Sequence, residues 1–152
     1  MKKVPLLESI SISESAVTVR KVTREEGTAF SKAMDDAGLP PDQADLVDIF
    51  IHGDPLYGAF VNGKMVGGMT FGKCQPSLKD CTTIHAMIVD PESRGTGVGK
   101  ELLKFAEKNA KTTWLMTNPH TDEAESFYLK NGYEKDEEFD ENDTNVVLKK
   151  LK

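Results

Sequence analysis

The sequence predicts a mixed α/β fold, in which a mixed, mostly antiparallel sheet of about six to seven strands is flanked by about four helices. Apolar and β-branched residues run from Thr82 to Val89 and stop at Asp90-Pro91, which is typical of a buried strand. Apolar residues recur at helical spacing from Val98 onward. Asn62-Gly63 stands between two apolar runs and is the strongest hairpin signal in the chain.

The first half of the chain is predicted to alternate between strand and helix. Ala16 to Val22 alternates enough to form a strand. Thr23 and Glu26 then have the capping-box spacing, so a helix begins there and is expected to stop at Gly38. A second short helix is expected over Asp42 to Ile51. Two further strands flank the hairpin turn, Tyr57 to Val61 and Lys64 to Phe71.

The second half continues from the central strand and its helix. Thr112 to Thr117 is predicted to be a strand. Thr121 is a good N-cap for a short helix that runs to Lys130. Tyr133 to Phe139 and Asn145 to Leu151 are predicted to be the last two strands. The predicted element order is therefore β-α-α-β-β-β-α-β-α-β-β.

Length and composition narrow the classes of protein. The 152 residues are enough for one domain, in which residues 1–15 are expected to form a loose leader. The net charge of −6 does not favour nucleic-acid binding, and no apolar run approaches the ~20 residues of a membrane span. Cys74 and Cys81 are too few for a disulfide scaffold, and no Cys/His cluster suits a metal. We therefore expect a cytoplasmic protein with free thiols, with pairing of the two cysteines under oxidation as the alternative.

The segment from Arg94 to Lys100 is the first candidate site. It places Gly95, Gly97 and Gly99 at alternate positions between the central strand and the next helix. Glycines let backbone amides approach a ligand closely, and a helix N-terminus adds unpaired donors and a positive dipole end. Arg94 and Lys100 add positive charge. The segment therefore predicts a phosphate or pyrophosphate site, and a tight turn without a ligand is the alternative.

Spacing decides which phosphate site this is. A Walker A loop needs Gly-Lys followed by Ser or Thr, whereas Gly99-Lys100 is followed by Glu101. The dinucleotide fingerprint needs a third glycine where Lys100 stands. These mismatches disfavour a nucleotide-phosphate binder or NTPase. The pattern Arg94-x-x-Gly97-x-Gly99 instead resembles the acyl-CoA loop of the GNAT superfamily of N-acetyltransferases.

A second segment supports the resemblance. Phe127-Tyr128-Leu-Lys-Asn-Gly132-Tyr133 is similar to the Phe-Tyr-x-x-x-Gly-Phe segment of that family. The resemblance is clear from about Tyr57 to Tyr133 and is only topological over about the first fifty residues. It implies a single GNAT-like domain whose sheet is splayed between the fourth and fifth strands.

The resemblance also implies residues that bind acetyl-CoA, the expected co-substrate, without a metal. The loop would hold the pyrophosphate through its backbone amides, and the end of the central strand would lend main-chain groups to the pantetheine arm. Thr121 stands where many family members carry Asn, so one contact to that arm is expected to differ. The implied cofactor-binding residues are Met87, Ile88, Val89, Arg94, Gly95, Thr96, Gly97, Val98, Gly99, Lys100, Asn118, Thr121, Ala124 and Tyr128.

Acyl transfer from a thioester to an amine needs two proton transfers, and the sequence offers a candidate for each. The departing thiolate needs a proton that the Tyr128 phenol can supply, the alternative being an aromatic core residue. The attacking amine must be neutral, and His85 is the candidate base because it shares strand parity with Met87 and Val89. A purely structural histidine is the alternative. Two loop residues are weaker candidates for the base, Asp90 and His120.

The leading hypothesis is transfer of an acetyl group from acetyl-CoA to a primary amine of a small molecule or peptide, by direct attack in a ternary complex. The alternative is a non-catalytic CoA-binding or sensing module on the same fold. Glu134 to Asp143 contains seven carboxylates and one lysine, which favours a cationic acceptor if it is more than a solvated acidic turn. We keep a homodimer open and expect no nucleic-acid or membrane partner.

Overall fold

The computed structural model describes residues 17–39, 55–74, 80–119, 121–136 and 148–151. The expected helix over Asp42 to Ile51, and most of the acidic segment, lie outside these residues. The described helices are α1 (Arg24–Asp36), α2 (Val98–Asn109) and α3 (Asp122–Lys130), with a 3-10 turn at Pro91–Ser93. The described strands are β1 (Val17–Lys21), β2 (Leu56–Val61), β3 (Lys64–Lys73), β4 (Cys81–Val89), β5 (Trp114–Thr117), β6 (Glu134–Lys135) and β7 (Leu148–Leu151).

The strands form a mixed sheet in the order β1-β2-β3-β4-β5-β7-β6, which confirms the predicted fold class. β1 and β3 both pair antiparallel with β2, and β5 and β6 both pair antiparallel with β7. β4 and β5 pair parallel, from Cys81 opposite Trp114 to Ile84 opposite Thr117. This pairing ends where β5 ends, at Thr117, whereas β4 continues to Val89, and the expected splay between the fourth and fifth strands stays a prediction.

The chain contacts cluster into two compact units, and the single-domain organisation stays a prediction. The first unit comprises the described parts of Met1–Thr70 together with Ala86–Phe105. Its core joins α1, β2 and the end of β4, and consists of Val22, Phe30, Met34, Leu39, Leu56 and Ile88. The second unit comprises the described parts of Phe71–His85 and Ala106–Lys152. Its most buried side chains include Leu115, Tyr128 and Tyr133.

Local signals in the first unit behave as the sequence predicts. The Glu26 amide donates to the Thr23 hydroxyl at 3.1 Å, and the Thr23 amide donates to the Glu26 carboxylate at 2.9 Å. This reciprocal pair is the predicted capping box, and α1 begins at the next residue after Thr23. Asn62 and Gly63 both have positive φ, 51° and 80°, which is the backbone that a two-residue hairpin turn requires.

Two expectations in the second unit are corrected. Cys74 and Cys81 form a disulfide, so the expectation of free thiols is wrong. The Cys74 amide donates to the Cys81 carbonyl at 3.0 Å and the Cα atoms are 5.3 Å apart, which is within disulfide range. β5 begins at Trp114 rather than Thr112, because the Thr112 hydroxyl bonds the Thr82 hydroxyl at 2.7 Å and the Trp114 carbonyl at 2.9 Å. These bonds favour a bend over extended pairing.

Candidate functional site

The end of β4 presents alternating faces. Ile88 is buried against the core of the first unit, whereas Met87 and Val89 are half-buried and His85 is exposed. The Ile88 side chain is therefore a core residue, and only its backbone remains a candidate for binding a ligand. His85, Met87 and Val89 share parity along the strand, as the sequence predicts.

The turn after β4 is held by Asp90. Its carboxylate accepts from the Glu92 amide at 3.0 Å, and its own amide donates to the Val66 carbonyl at 2.9 Å. The Asp90 carboxylate thus caps the 3-10 turn, which is a structural duty for a residue that the sequence made a weaker candidate base. The Arg94 guanidinium donates from Nε to the Val89 carbonyl at 3.2 Å, so the loop is tied back to the strand end.

The glycine loop has a backbone that is open on one side. Gly95 and Gly97 have φ values of 81° and 95°, a region that side chains rarely adopt. Among the described residues, a Cβ placed at either glycine would meet no atom within 4 Å other than those of its chain neighbours. The helix α2 begins directly afterwards at Val98, and the Glu101 amide makes the first helical bond to the Gly97 carbonyl at 3.0 Å. The amides of the first helical turn, at Val98, Gly99 and Lys100, have no partner within the helix and are suited to bind an anion.

Gly67 lies where the first turns of α2 pack against β3, and it was not among the residues predicted from the sequence. A Cβ on Gly67 would lie 3.0 Å from the Val98 side chain, 3.1 Å from the Leu102 side chain and 3.3 Å from the Ile88 carbonyl. A side chain at this position would force these neighbours to shift by a few tenths of an ångström, so α2 packs closely on the backbone of β3. The signal that could have found this residue is a glycine inside a predicted strand, which marks close backbone approach.

The loop carries the kinds of groups that a diphosphate site needs. Open glycine amides, a helix N-terminus and the exposed cationic residues Arg94 and Lys100 together supply the donors and charge that pyrophosphate needs. The Thr96 hydroxyl donates to the Ser93 carbonyl and so braces the turn between the two cationic residues. These groups all belong to the first unit.

In the second unit, a residue that follows β5 carries an unsatisfied hydrogen-bond acceptor. The Asn118 side-chain oxygen Oδ1 is buried and, among the described residues, accepts no hydrogen bond. An orphaned acceptor is costly unless a ligand donor satisfies it, and the amides of a pantetheine arm are such donors. The Thr121 hydroxyl accepts from the Ala124 amide at 3.1 Å as the predicted N-cap of α3. His120, a weaker candidate base, lies outside the described residues.

Tyr128 lies on the buried face of α3 and is 5% exposed. Its ring packs edge-on against Phe127 and Tyr133, with centroid distances of 5.2 and 5.3 Å. Burial raises the pKa of Tyr128 to about 12, and a hydrogen bond with the Thr117 hydroxyl offsets part of that rise. The phenol therefore keeps its proton throughout the neutral range and is chemically able to act as a proton donor.

The predicted site residues thus divide between the two units. The strand end and glycine loop come together in the first unit, and Asn118, Thr121, Ala124 and Tyr128 lie in the second. In the described part of the chain, no group of three or more His, Cys, Asp or Glu side chains could hold a metal ion. The described helices also include none that is long and apolar enough to span a bilayer.

Comparison with known proteins identifies a family and several solved structures with a similar fold. Residues 20–133 match the model of the acetyltransferase (GNAT) family. A proposed GNAT-family acetyltransferase of Desulfovibrio desulfuricans is 15% identical with a TM-score of 0.72, over 90% of this chain and 99% of that chain. PaiA N-acetyltransferase of Thermoplasma acidophilum, solved in complex with coenzyme A, is 16% identical with a TM-score of 0.67, over 90% and 99%.

A third solved structure has the same fold. The ribosomal-protein-alanine N-acetyltransferase of Brucella melitensis is 18% identical with a TM-score of 0.65, over 89% of this chain and 99% of that chain. At such identities the likeness establishes the fold and leaves the acceptor open. No curated protein sequence matches this chain.

Proposed function

This chain belongs to the GNAT family of acetyltransferases, and we propose that it transfers an acetyl group from acetyl-CoA to a primary amine of a small molecule or peptide. The proposed route is direct attack of the amine in a ternary complex. The observation that carries the proposal is the open backbone at Gly95 and Gly97, which leads straight into the N-terminus of α2. That arrangement suits the pyrophosphate of CoA.

The proposed chemistry assigns one proton to each of two residues. The amine nitrogen bonds to the thioester carbonyl carbon while the carbon–sulfur bond breaks, and the sulfur leaves as a thiolate. Tyr128 gives its phenolic proton to that sulfur, which its high pKa keeps available at neutral pH. His85, exposed on β4, is the proposed acceptor of the proton that the amine loses. Solvent then returns Tyr128 to its protonated form.

The proposed acyl donor is one compound, acetyl-CoA, whereas the proposed acceptor is a class, the primary amines of small molecules and peptides. The Brucella melitensis enzyme is a ribosomal-protein-alanine N-acetyltransferase, and an amine of a peptide falls within the class proposed for this chain. The acidic segment Glu134 to Asp143 supports a cationic amine, because a field of like charges raises the local concentration of opposite charge. If neutral and cationic amines turn over equally, with no salt dependence of kcat/KM, the cationic preference is wrong.

Cofactor binding is best tested with two lysines of the same helix. Gly97 is a poor test position, since its φ of 95° would strain any side chain regardless of the ligand. Lys100→Glu reverses a charge in the first turn of α2, where an acidic residue does not harm the helix. Lys104→Glu changes the net charge equally at an exposed position, where the lysine pairs with Glu101 at 3.6 Å.

Calorimetry with CoA should show binding weakened about tenfold or more in Lys100→Glu. Swapping attraction for repulsion at about 4 Å in water changes the energy by roughly 2 kcal/mol. Lys104→Glu should bind CoA as the wild type does. Equal affinity in all three proteins would refute the pyrophosphate loop.

Catalysis is tested separately, by thiol release from acetyl-CoA with a mixed panel of amines and mass spectrometry of the products. Amine-dependent thiol release and an acetylated product are the expected results. Tight CoA binding without thiol release for any amine would instead identify a non-catalytic CoA-binding module.

A further inference from the structure

The Cys74–Cys81 disulfide links two neighbouring strands of the sheet, since Cys74 follows the last residue of β3 and Cys81 is the first residue of β4. The two cysteines are only seven positions apart. A cross-link between residues so close in sequence removes less chain entropy from the unfolded state than one that closes a long loop. Opening this disulfide is therefore expected to leave the chain folded.

The start of β4 has other contacts that hold it in place. Cys81 pairs with Trp114 of β5, and the Thr82 and Thr112 hydroxyls are hydrogen-bonded at 2.7 Å. The Cys74 amide also donates to the Cys81 carbonyl at 3.0 Å. Because none of these bonds involves a sulfur atom, they keep the two cysteines next to each other when the disulfide is open.

The two cysteines differ in their exposure to solvent. Cys81 is 3% exposed and belongs to the core, whereas Cys74 is half-buried. A thiolate attacks a disulfide at the sulfur that it can reach, so a thiol from solvent attacks Cys74 and displaces the Cys81 sulfur. The displaced sulfur stays inside the protein, next to the bond that has just formed.

The Thr83 hydroxyl lies 3.0 Å from the Cys74 sulfur. A disulfide sulfur carries no proton, so the hydroxyl is the donor of this hydrogen bond. After reduction the same donor faces the Cys74 thiolate, and a hydrogen bond to the charged form of a group stabilises that form. Because the thiolate is the reactive form of cysteine, Thr83 favours reaction at Cys74.

We propose that Cys74 and Cys81 form a reversible site of modification by small-molecule thiols, in which Cys74 carries the modification and Cys81 is the resolving thiol. In the forward step an external thiolate forms a sulfur–sulfur bond to Cys74, and the Cys74–Cys81 bond breaks. The electron pair of the broken bond leaves with the Cys81 sulfur. In the reverse step the Cys81 thiolate attacks Cys74 and expels the external thiolate. The inference does not rest on the proposed acetyl transfer, in which neither cysteine takes part.

Two alanine variants test which sulfur is modified, because each leaves one free thiol. With oxidised glutathione, the full-length Cys81→Ala protein should gain one glutathione at least about tenfold faster than Cys74→Ala, since thiol reactivity follows exposure. Mass spectrometry measures both rates, and cooperative urea unfolding checks that both proteins are folded. Equal rates in the two folded variants would overturn the inference.

The role of Thr83 is tested in the Cys81→Ala background. Thr83→Val removes the donor next to Cys74 and should slow the gain of glutathione about three- to tenfold, whereas Thr83→Ser keeps the hydroxyl and should restore most of the rate. Thr70→Val is the matched control, because it removes a buried hydroxyl of β3 that has no partner among the described residues. This control should leave the rate unchanged. A Thr83→Val rate equal to that of the Cys81→Ala parent would overturn the role assigned to Thr83.

Wild-type protein tests the resolving role of Cys81 without any substitution. When the reduced protein is mixed with equimolar oxidised glutathione, both halves of the glutathione should be released as thiols, and the protein should finish with its internal disulfide. The two cysteines supply the electrons that reduce the glutathione disulfide. Glutathione that stays attached to Cys74 would show that Cys81 does not resolve the mixed disulfide, and would overturn the inference. A reduced protein that oxidised glutathione leaves unchanged would also overturn it.

Discussion

Tyr128 and Tyr133 flank the C-terminal end of α3 and are alike in most respects. Their exposed fractions are 5% and 2%, and their rings meet edge-on with centroids 5.3 Å apart. Burial is the main cause of a raised pKa in both. They differ in the other influences on each pKa. The Thr117 hydroxyl lowers the pKa of Tyr128 and so offsets part of the effect of burial, whereas Tyr133 donates to the Glu107 carboxylate at 3.2 Å.

The Tyr133 hydroxyl is part of a clamp made of Tyr133, Glu107, Lys150 and Asn131. The Lys150 ammonium donates to the same Glu107 oxygen at 3.1 Å and to the Asn131 carbonyl at 3.2 Å. It also lies 5.7 Å from the centroid of the Tyr133 ring. These contacts join α2, the end of α3 and β7, so the Tyr133 hydroxyl has a structural role within the second unit.

The comparison shows that burial does not by itself identify a proton donor. A carboxylate next to a phenol opposes its ionisation, and Glu107 adds to the effect of burial in raising the pKa of Tyr133. A hydroxyl next to a phenol can donate to the phenolate, and Thr117 acts against burial at Tyr128. Of the two phenols, Tyr133 is the one whose neighbouring carboxylate opposes the loss of its proton, so Tyr128 is the better candidate for the proposed proton donor.

The largest expected effect is on turnover. Tyr128→Phe keeps the ring but removes the proton, and we expect kcat to fall about a hundredfold or more, since general acid catalysis is worth ~10²–10⁴-fold. CoA affinity should stay within about threefold. Tyr133→Phe removes an equally buried hydroxyl and should leave kcat within about threefold of wild type. Similar losses of kcat in both variants would show that the two tyrosines do not differ in their role in turnover.

The next effect is on stability. Glu107→Ala leaves the buried Tyr133 hydroxyl and the half-buried Lys150 ammonium without their shared acceptor. We expect the free energy of unfolding to fall by about 2 kcal/mol. Glu107→Gln retains an acceptor for the hydroxyl and should lose less. Urea unfolding measures both losses. An unchanged free energy of unfolding in Glu107→Ala would mean that these contacts do not stabilise the second unit.

The smallest effect is the pH dependence of stability. Burial raises the pKa of Tyr128 from 10.0 to about 12, so the folded state holds a proton that the unfolded state begins to lose near pH 10. This contribution to stability is fully present below pH 10 and is lost as the pH rises toward 12. Between pH 10 and 11, the free energy of unfolding should therefore fall by about 1 kcal/mol less in Tyr128→Phe than in the wild type. Parallel urea-unfolding curves for the two proteins would contradict the raised pKa.

Sequence signals that act within a few residues predicted local structure well. The Thr23 and Glu26 capping box, the Asn62-Gly63 turn and the Thr121 N-cap each formed as predicted. In each case the donor and acceptor, or the required backbone angles, belong to one short segment. All the groups that form these features are therefore visible in a few neighbouring residues of the sequence.

Partners distant in sequence were not predictable in the same way. The motif singles out Tyr128 but does not show which group meets the hydroxyl of Tyr133, because Glu107 lies 26 positions from Tyr133. The Cys74–Cys81 pairing was missed because two cysteines on a turn are compatible with either state until their strand register is known. Gly67 was missed because its tight contacts come from a helix elsewhere in the chain.

The most direct test of the account is the single-turnover rate of acetyl transfer in Tyr128→Phe beside that in Tyr133→Phe. Single-turnover conditions expose the chemical step even if product release limits kcat. If Tyr128 is the proton donor, Tyr128→Phe should react at least about a hundredfold more slowly than wild type and Tyr133→Phe at nearly the wild-type rate. A Tyr128→Phe enzyme with the wild-type single-turnover rate would make Tyr128 a packing residue, and the thiolate would take its proton from solvent.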